Sequence, residues 1–477
     1  MSNTQLPLGI NAWIFLNEDE PAGTNYNSPT SCFQSLINYK VYDSINLLGI
    51  AFFEVVHNSN GSTIQVGNAT HPGNSENPND SLSNQQYLEY VLRDAREVNP
   101  DIKFLATMVY SGNNTLASVF TPGGNAQDEA TAFANNLVTY LKANGMNGLD
   151  VDWEGDVSAR MTQTQFQILF STIRSVFDQQ SEKFYLTIAP AWSSSTYDFP
   201  TLNSAFDVIS PQFYDGTPLS SFLNVGMSPS KIGYGAQFEP GNAVPNASAQ
   251  QVWDTVSAGF DYQGSHYNYQ DIFMWRLNSG NFQFEQGQLL ILSELAYPET
   301  NNSFDDSDVV FASGSPNISQ LTVRSGDVLN AVQTVNTGTG TYNTGTQPPG
   351  TDKGVFTLLQ HGGNSGASQT VNIPSNDPIV SISGYTGVWY GTPCVLQLTL
   401  TGQSGTTYGP FGSMAGATSK TPFTQTGPNG QTVVGFKGST VGVTLAGGEY
   451  TNIIANLDAI FSIPNSVQAR SKAAEAH

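Results

Sequence analysis

Cysteine is almost missing from this chain: Cys32 and Cys394 are its two examples in 477 residues, too few and too far apart for a disulfide scaffold. Histidine is sparse as well. The five His residues show no His-x-x-x-His spacing and no Cys-x-x-Cys occurs, so no metal and no cofactor is expected. Basic residues number 16 against 38 acidic ones, and a formal charge of −22 would repel a phosphate backbone, which excludes nucleic acid as the main partner. No run of 18 apolar residues is present, and the first seven residues carry neither a basic nor an apolar leader pattern. The expectation is a soluble chain with no membrane partner, whether cytoplasmic, released, or exported with a leader already removed.

Glycine, by contrast, is abundant at 46 residues, and with charged residues at only 11% this points to strands and turns rather than a helical bundle. A length of 477 exceeds what one core supports, so at least two domains are expected. Short apolar runs predict strands near 9–15, 45–53, 103–110, 148–154, 184–191, 206–214, 232–238 and 271–277. Between them, apolar residues at three-to-four spacing predict helices such as 84–96, 126–144 and 163–179. Eight strands alternating with helices predict an α/β (β/α)8 TIM barrel over 1–300; an open doubly wound sheet is the rival that strand number alone does not exclude.

After Pro298 the texture changes. Ser, Thr, Gly and Asn become dense, helical periodicity vanishes and β-branched residues alternate with small polar ones, so an all-β domain is expected over 303–462. The stretch 337–350 reads as a flexible loop inside it, and 463–477 as a frayed tail.

The fourth predicted strand ends Asn147-Gly-Leu-Asp150-Val-Asp152-Trp-Glu154. Alternate side chains of a strand share a face, which groups Asp150, Asp152 and Glu154 on one side and Leu149, Val151 and Trp153 on the other. An acidic edge strand facing solvent is the plain alternative, but the apolar outer face marks this strand as covered by helices. Three carboxyls at close range in a partly dry barrel cannot all ionise, so at least one should keep its proton at neutral pH. Glu154, nearest the C-terminal mouth, is the candidate general acid.

These residues resemble glycoside hydrolase family 18, whose signature is Asp-Gly-x-Asp-x-Asp-x-Glu; Gly148, Asp150, Asp152 and Glu154 match it in register. The resemblance extends to Gln212-Phe213-Tyr214-Asp215 on the sixth strand and Phe273-Met274-Trp275 on the eighth. It implies an endo-acting chitinase that hydrolyses β-1,4 bonds between N-acetylglucosamine units by substrate-assisted, retaining catalysis. Glu154 would protonate the glycosidic oxygen, Asp152 would orient the acetamido group, Tyr214 would donate to its carbonyl, and Asp150 would hold Asp152. Gln212, Asp215 and Trp275 would bind substrate, Trp275 as a flat apolar floor under a pyranose. Trp13, Tyr110, Trp192 and Tyr234, at or near strand ends, are further platform candidates, with core or rim positions as the alternative.

Two positions depart from the family pattern: Asn147 replaces the first Asp, and Ala106 to Gly112 stands where a Ser-x-Gly-Gly segment is expected. The short span between the seventh and eighth strands leaves little room for an inserted domain, which favours a shallow, endo-acting groove.

The C-terminal part resembles a jacalin-related lectin, a β-prism of three sheets. The matching pieces include Arg324 to Val332, His361-Gly-Gly363, Ile382 to Gly387, Tyr408 to Gly412, Val434 to Gly438 and Leu457 to Ile460. By that resemblance Gly362, Gly363 and Asp458 would form a sugar site, although the long segment 439–452 separates Gly438 from Asp458. A β-prism serving only as spacer is the alternative. The partners expected are chitin, a chitooligosaccharide or an N-glycan as substrate, with a second glycan on the C-terminal domain. An endo-β-N-acetylglucosaminidase acting on chitobiose cores, a non-catalytic chitinase-like lectin and a subunit of a larger assembly are the competing readings.

Overall fold

A computed structural model describes residues 9–74, 77–192, 197–239, 244–298, 302–338, 354–445 and 448–463. Most of the loop read at 337–350 and of the tail read at 463–477 lies outside these residues. The chain divides into two compact units, 1–285 and 286–477. The division falls inside the helix Phe282–Ala296, ahead of the change in composition at Pro298, because the second half of that helix packs with the β-rich unit. A Cβ on Gly287 would meet the Phe356 ring at 2.8 Å, and Gln288 Nε2 donates to the Val355 carbonyl at 3.2 Å.

The first unit is a closed parallel barrel. Its strands are β1 (Gly9–Phe15), β2 (Leu47–Asn58), β3 (Lys103–Met108), β4 (Gly148–Trp153), β5 (Tyr185–Pro190), β6 (Val208–Ile209), β7 (Tyr234–Gln237) and β8 (Asp271–Trp275). They pair in the order β7-β8-β1-β2-β3-β4-β5-β6, and parallel bridges Ile209–Ile232 and Gln212–Gly235 close the ring. Closure removes the open-sheet alternative.

Strands covered by helices need apolar outer faces, and β4 supplies one. Leu149, Val151 and Trp153 are fully buried, Trp153 making edge contact with Phe166 of helix Gln163–Asp178 at 5.1 Å. Helix starts follow the local sequence: Ser83 and Thr162 each form a capping box with the Gln three residues on. Gly148 is forced by strand packing, since a Cβ there would lie 2.2 Å from the Tyr185 carbonyl oxygen. Asn147 sits at the N-terminal end of β4, away from the mouth, where its Oδ1 accepts from the Phe104 amide at 3.0 Å. Exchange of Asp for Asn there keeps an acceptor for the backbone and leaves the mouth untouched.

The second unit is built mainly of β-strands; its helical parts are the second half of Phe282–Ala296 and the short helix Ser307–Ala312. Its strands are β9 (Ser303–Asp305), β10 (Asn317–Ser325), β11 (Leu329–Thr337), β12 (Val355–Thr357), β13 (His361–Gly362), β14 (Ala367–Asn372), β15 (Ile379–Trp389), β16 (Thr392–Gly402), β17 (Thr407–Phe411), β18 (Ala417–Thr426), β19 (Val433–Thr444) and β20 (Tyr450–Phe461). They form three antiparallel sheets, β9-β19-β20, β12-β11-β10-β14 with β13 on β11, and β17-β16-β15-β18. Phe304, Leu321, Leu398, Phe436 and Ile454 bring inner residues of all three into one core. That is the expected β-prism arrangement.

Candidate active site

The barrel mouth holds a cavity of about 380 Å3, inside the usual range of small-molecule sites. Of the residues singled out in the sequence, Trp13, Tyr110, Asp152, Glu154, Gln212, Tyr214, Asp215 and Trp275 line it. Asp150 lies directly below, fully buried.

Asp150 is the best-secured of the three β4 acids. It accepts hydrogen bonds from Trp13 Nε1 at 2.8 Å, Thr107 Oγ1 at 3.1 Å and Thr187 Oγ1 at 2.5 Å. Burial raises its pKa, and these donors work against that rise. Asp152 accepts from Gln212 Nε2 at 2.9 Å. Burial first, then the charges of Glu154 and Asp150, hold Asp152 well above the ordinary carboxylate range.

Glu154 caps the end of β4 and begins the short helix Gly155–Arg160, half-buried at the rim. Among the described residues no side chain donates a hydrogen bond to it. Its pKa is pushed up to about 7, by burial and then by the charge of Asp215. Two carboxyls two residues apart on one strand face thus share a site where a proton is retained near neutrality, the condition for a general acid. Tyr214 is buried beside them, and burial followed by the Asp152 charge keeps its hydroxyl protonated and able to donate.

The floor is aromatic and layered. Trp275 stands with its ring 6.0 Å from that of Trp13 in edge contact, and Trp13 stacks on Phe273 at 3.7 Å. Trp13 is only 3% exposed, so it is a support beneath the floor more than an open platform. Gly49 makes room for it: a Cβ there would lie 2.3 Å from the indole. Tyr110 packs its ring edge on Phe52 at 5.8 Å. Tyr234 packs among Phe213 and Tyr269 and Trp192 is exposed to solvent; neither lines the cavity.

Sequence reasoning missed Thr107 and Thr187 as partners of Asp150, and Phe15, Phe52, Gln237, Glu239 and Arg276 as cavity residues. Inward alternation on β3 and β5 would have found the two threonines. Position immediately after Trp275 would have flagged Arg276.

The structure does not bring the three proposed lectin residues together. Gly362 pairs with Ala331, and Gly363 lies against Asn452 on β20. Asp458 is six residues further along that strand, ~20 Å away at ~3.3 Å per residue. It lies opposite Lys437 and accepts from Gln425 Nε2 at 2.8 Å. The segment 439–452, expected as a separating loop, mostly forms the arms of the β19–β20 hairpin.

Residues 25–258 match the profile of glycosyl hydrolases family 18, and residues 300–446 that of the jacalin-like lectin domain. The chain therefore carries a family 18 glycosyl hydrolase domain followed by a jacalin-like lectin domain. The first match contains Asp150 to Tyr214 but stops short of Trp13 and Trp275. Endochitinase 1 of Metarhizium anisopliae is 27% identical over 215 residues, 40% of this chain and 45% of that protein. The chain thus matches less than half the length of that relative. Among solved structures, a class V chitinase from Nicotiana tobaccum is 14% identical over 61% of this chain and 97% of that one, with a TM-score of 0.38. A mannose-binding lectin from Champedak is 20% identical over 35% of this chain and 91% of that one, with a TM-score of 0.25.

Proposed function

We propose that the protein is an endo-acting chitinase that cleaves β-1,4 bonds between N-acetylglucosamine units. The observation that carries the reading is Glu154, a rim carboxyl raised to about 7 beside Asp152, facing a cavity with an aromatic floor. Glu154 gives its proton to the glycosidic oxygen while the acetamido carbonyl oxygen of the sugar on Trp275 bonds to the anomeric carbon. The carbon–oxygen bond to the leaving sugar breaks and an oxazolinium forms. Asp152 orients the acetamido N–H and offsets the positive charge, and Tyr214 donates to the acetamido oxygen. Water then adds to the anomeric carbon and loses a proton to Glu154 as the bond from that carbon to the acetamido oxygen breaks and the acetamido group is restored, so configuration is retained.

An endo mode is supported by the connection between β7 and β8, which among the described residues holds one helix, Ala249–Ala258, and one small hairpin, Phe260–Tyr267. Nothing in it adds a domain-sized wall. The jacalin-like unit would hold the hydrolase at glycan-rich surfaces by raising effective concentration.

The test is hydrolysis of fluorogenic di- and tri-N-acetylchitooligosaccharides, beside a high-mannose glycoprotein, by wild type and Glu154→Gln. Chitooligosaccharide cleavage that falls by about 100-fold or more in the variant supports the reading. Release of intact N-glycan alone would make it an endo-β-N-acetylglucosaminidase, and no turnover of either substrate by wild type would sink the hydrolase reading.

A further inference from the structure

Across the barrel from Glu154, the cavity is walled by Arg276, the single cation that lines it among the described residues. β8 and β4 stand four places apart in the closed ring of eight, so residues at their C-terminal ends face each other over the mouth. Arg276 directly follows β8, and Glu239 comes just after β7; both line the cavity.

The guanidinium is tightly framed. Its Nη1 forms an ion pair with Glu18 at 2.5 Å, and its Nη2 and Nε donate to the two carboxylate oxygens of Glu239 at 3.2 and 3.3 Å. The rings of Phe15 and Trp275 lie 5.3 and 5.7 Å from it. The side chain is 13% exposed, which confines it to one position. A guanidinium has five N–H groups, and these contacts use three. Two remain, on a residue that lines the cavity.

Glu18 is itself anchored through its neighbours. Asn17 accepts from Asn84 Nδ2 at 2.7 Å, and Asp19 accepts from the Tyr87 hydroxyl at 2.6 Å and bonds His71 Nδ1 at 2.9 Å. Asn84 and Tyr87 belong to the helix Asn84–Val98, so the segment that presents Glu18 is fixed on both sides of it. A surface ion pair would need no such framing. A fork with two carboxylates at set angles and two donors unspent is the construction used to orient a ligand, and lysine cannot reproduce it.

We propose that Arg276 is a specificity-determining residue whose two remaining N–H groups bind an oxygen of the sugar unit on the non-reducing side of the one seated on Trp275. Glu18 and Glu239 are positioning residues that hold the fork against Trp275. The inference rests on the chitinase reading for its direction: Glu154 addresses the oxygen on the reducing side of that sugar, so the opposite wall faces the other end. The bound oxygen is neutral, a hydroxyl or an acetamido carbonyl. Glu18 and Glu239 already place two carboxylates on this one guanidinium, which leaves no net positive charge to hold an added anion.

The experiment compares wild type, Arg276→Lys and Glu18→Gln on tri-N-acetylchitotriose and its tetramer, by steady-state kinetics. Calorimetric titration of the same sugars follows, with each change combined with Glu154→Gln. Arg276→Lys is expected to lower kcat/KM about tenfold, nearly all of it in KM, with the dissociation constant weakened by the same factor. Glu18→Gln is expected to give a smaller loss of the same kind, about threefold. The pH–rate profile stays in place in both, whereas a residue acting through the proton donor would move it. Unchanged KM and affinity in Arg276→Lys overturn the proposal, and so does a loss confined to kcat. Should Arg276→Lys fail to fold, Glu239→Gln must reproduce the rise in KM, and its failure to do so counts equally against the idea. If wild type cleaves no chitooligosaccharide, the chitinase reading falls while the affinity comparison still decides Arg276; absence of binding with Arg276 intact overturns both.

Discussion

Trp13 Nε1 on β1 donates a 2.8 Å hydrogen bond to Asp150 on β4, joining two strands that β2 and β3 separate. The bond ties the aromatic floor to the deepest acid of the site. Trp13→Phe would leave Asp150 with its two threonine donors and open space beside Gly49. The expected cost is about 2–4 kcal/mol of stability, from a lost hydrogen bond to a buried carboxyl plus a small cavity. Urea unfolding of the full chain checks this, and a variant as stable as wild type would remove Trp13 as the link.

Stability should fall as pH rises. Asp150, Asp152, Glu154, Asp215, Asp271 and Glu285 all have raised pKa values, with burial the first cause in each. A raised value means the folded chain binds more protons than the unfolded one, so ν_U − ν_N is negative and stability declines with pH. Glu154 and Asp271 lie at about 7 and Glu285 at about 8, so the window runs from the ordinary value near 4 up to about 8. Scanning calorimetry should give the barrel transition a higher midpoint at pH 5 than at pH 8, and Glu285→Gln should flatten the upper part of the slope. A midpoint that climbs between pH 5 and 8 contradicts the assignment.

The alkaline limb of activity should answer to Asp215. Its carboxylate charge helps to raise Glu154, so Asp215→Asn lowers the Glu154 value and moves the limb to lower pH. Because Glu154 and Asp152 titrate together, the limb reports the pair. A kcat/KM profile over pH 4–9 measures the shift; a limb displaced to higher pH would reverse the sign argued here.

Asp458→Ala should leave any glycan affinity of the second unit unchanged, since Asp458 lies ~20 Å from Gly363 along β20 at ~3.3 Å per residue. A glycan array read with both proteins checks this. The structural cost should be modest, about 1 kcal/mol for the lost Gln425 contact.

The barrel and its acid row could be read from the chain because both obey local periodicity. β1 occupies Gly9–Phe15 as expected, and alternation alone places Asp150 and Asp152 on the inner face with Glu154 at the rim. The sixth strand, expected over 206–214, is only Val208–Ile209, followed by a bridge at Gln212 and a turn at Phe213–Asp215. Pro211 carries no N–H and interrupts the ladder, which resumes only as single bonds such as Gln212 N–H to the Pro190 carbonyl at 2.9 Å. Glu18 and Arg276 lie at opposite ends of the barrel sequence, and only ring closure, which sets β1 beside β8, makes them neighbours. Asp458, expected beside Gly362 and Gly363 from the match of Leu457 to Ile460, is held in a strand by the hairpin arms instead.

β6 joins β5 through two residue pairs and β7 through two single bridges, the shortest joins in the barrel wall among the described residues. Backbone amides along this seam should therefore exchange with deuterated solvent sooner than those of β2 or β4. Gln212 sits on the seam, and its side-chain nitrogen is what holds Asp152. Opening of the wall at that point would take the Gln212 amide away from Asp152, so the slackest stave of the barrel is also the one that holds this buried acid.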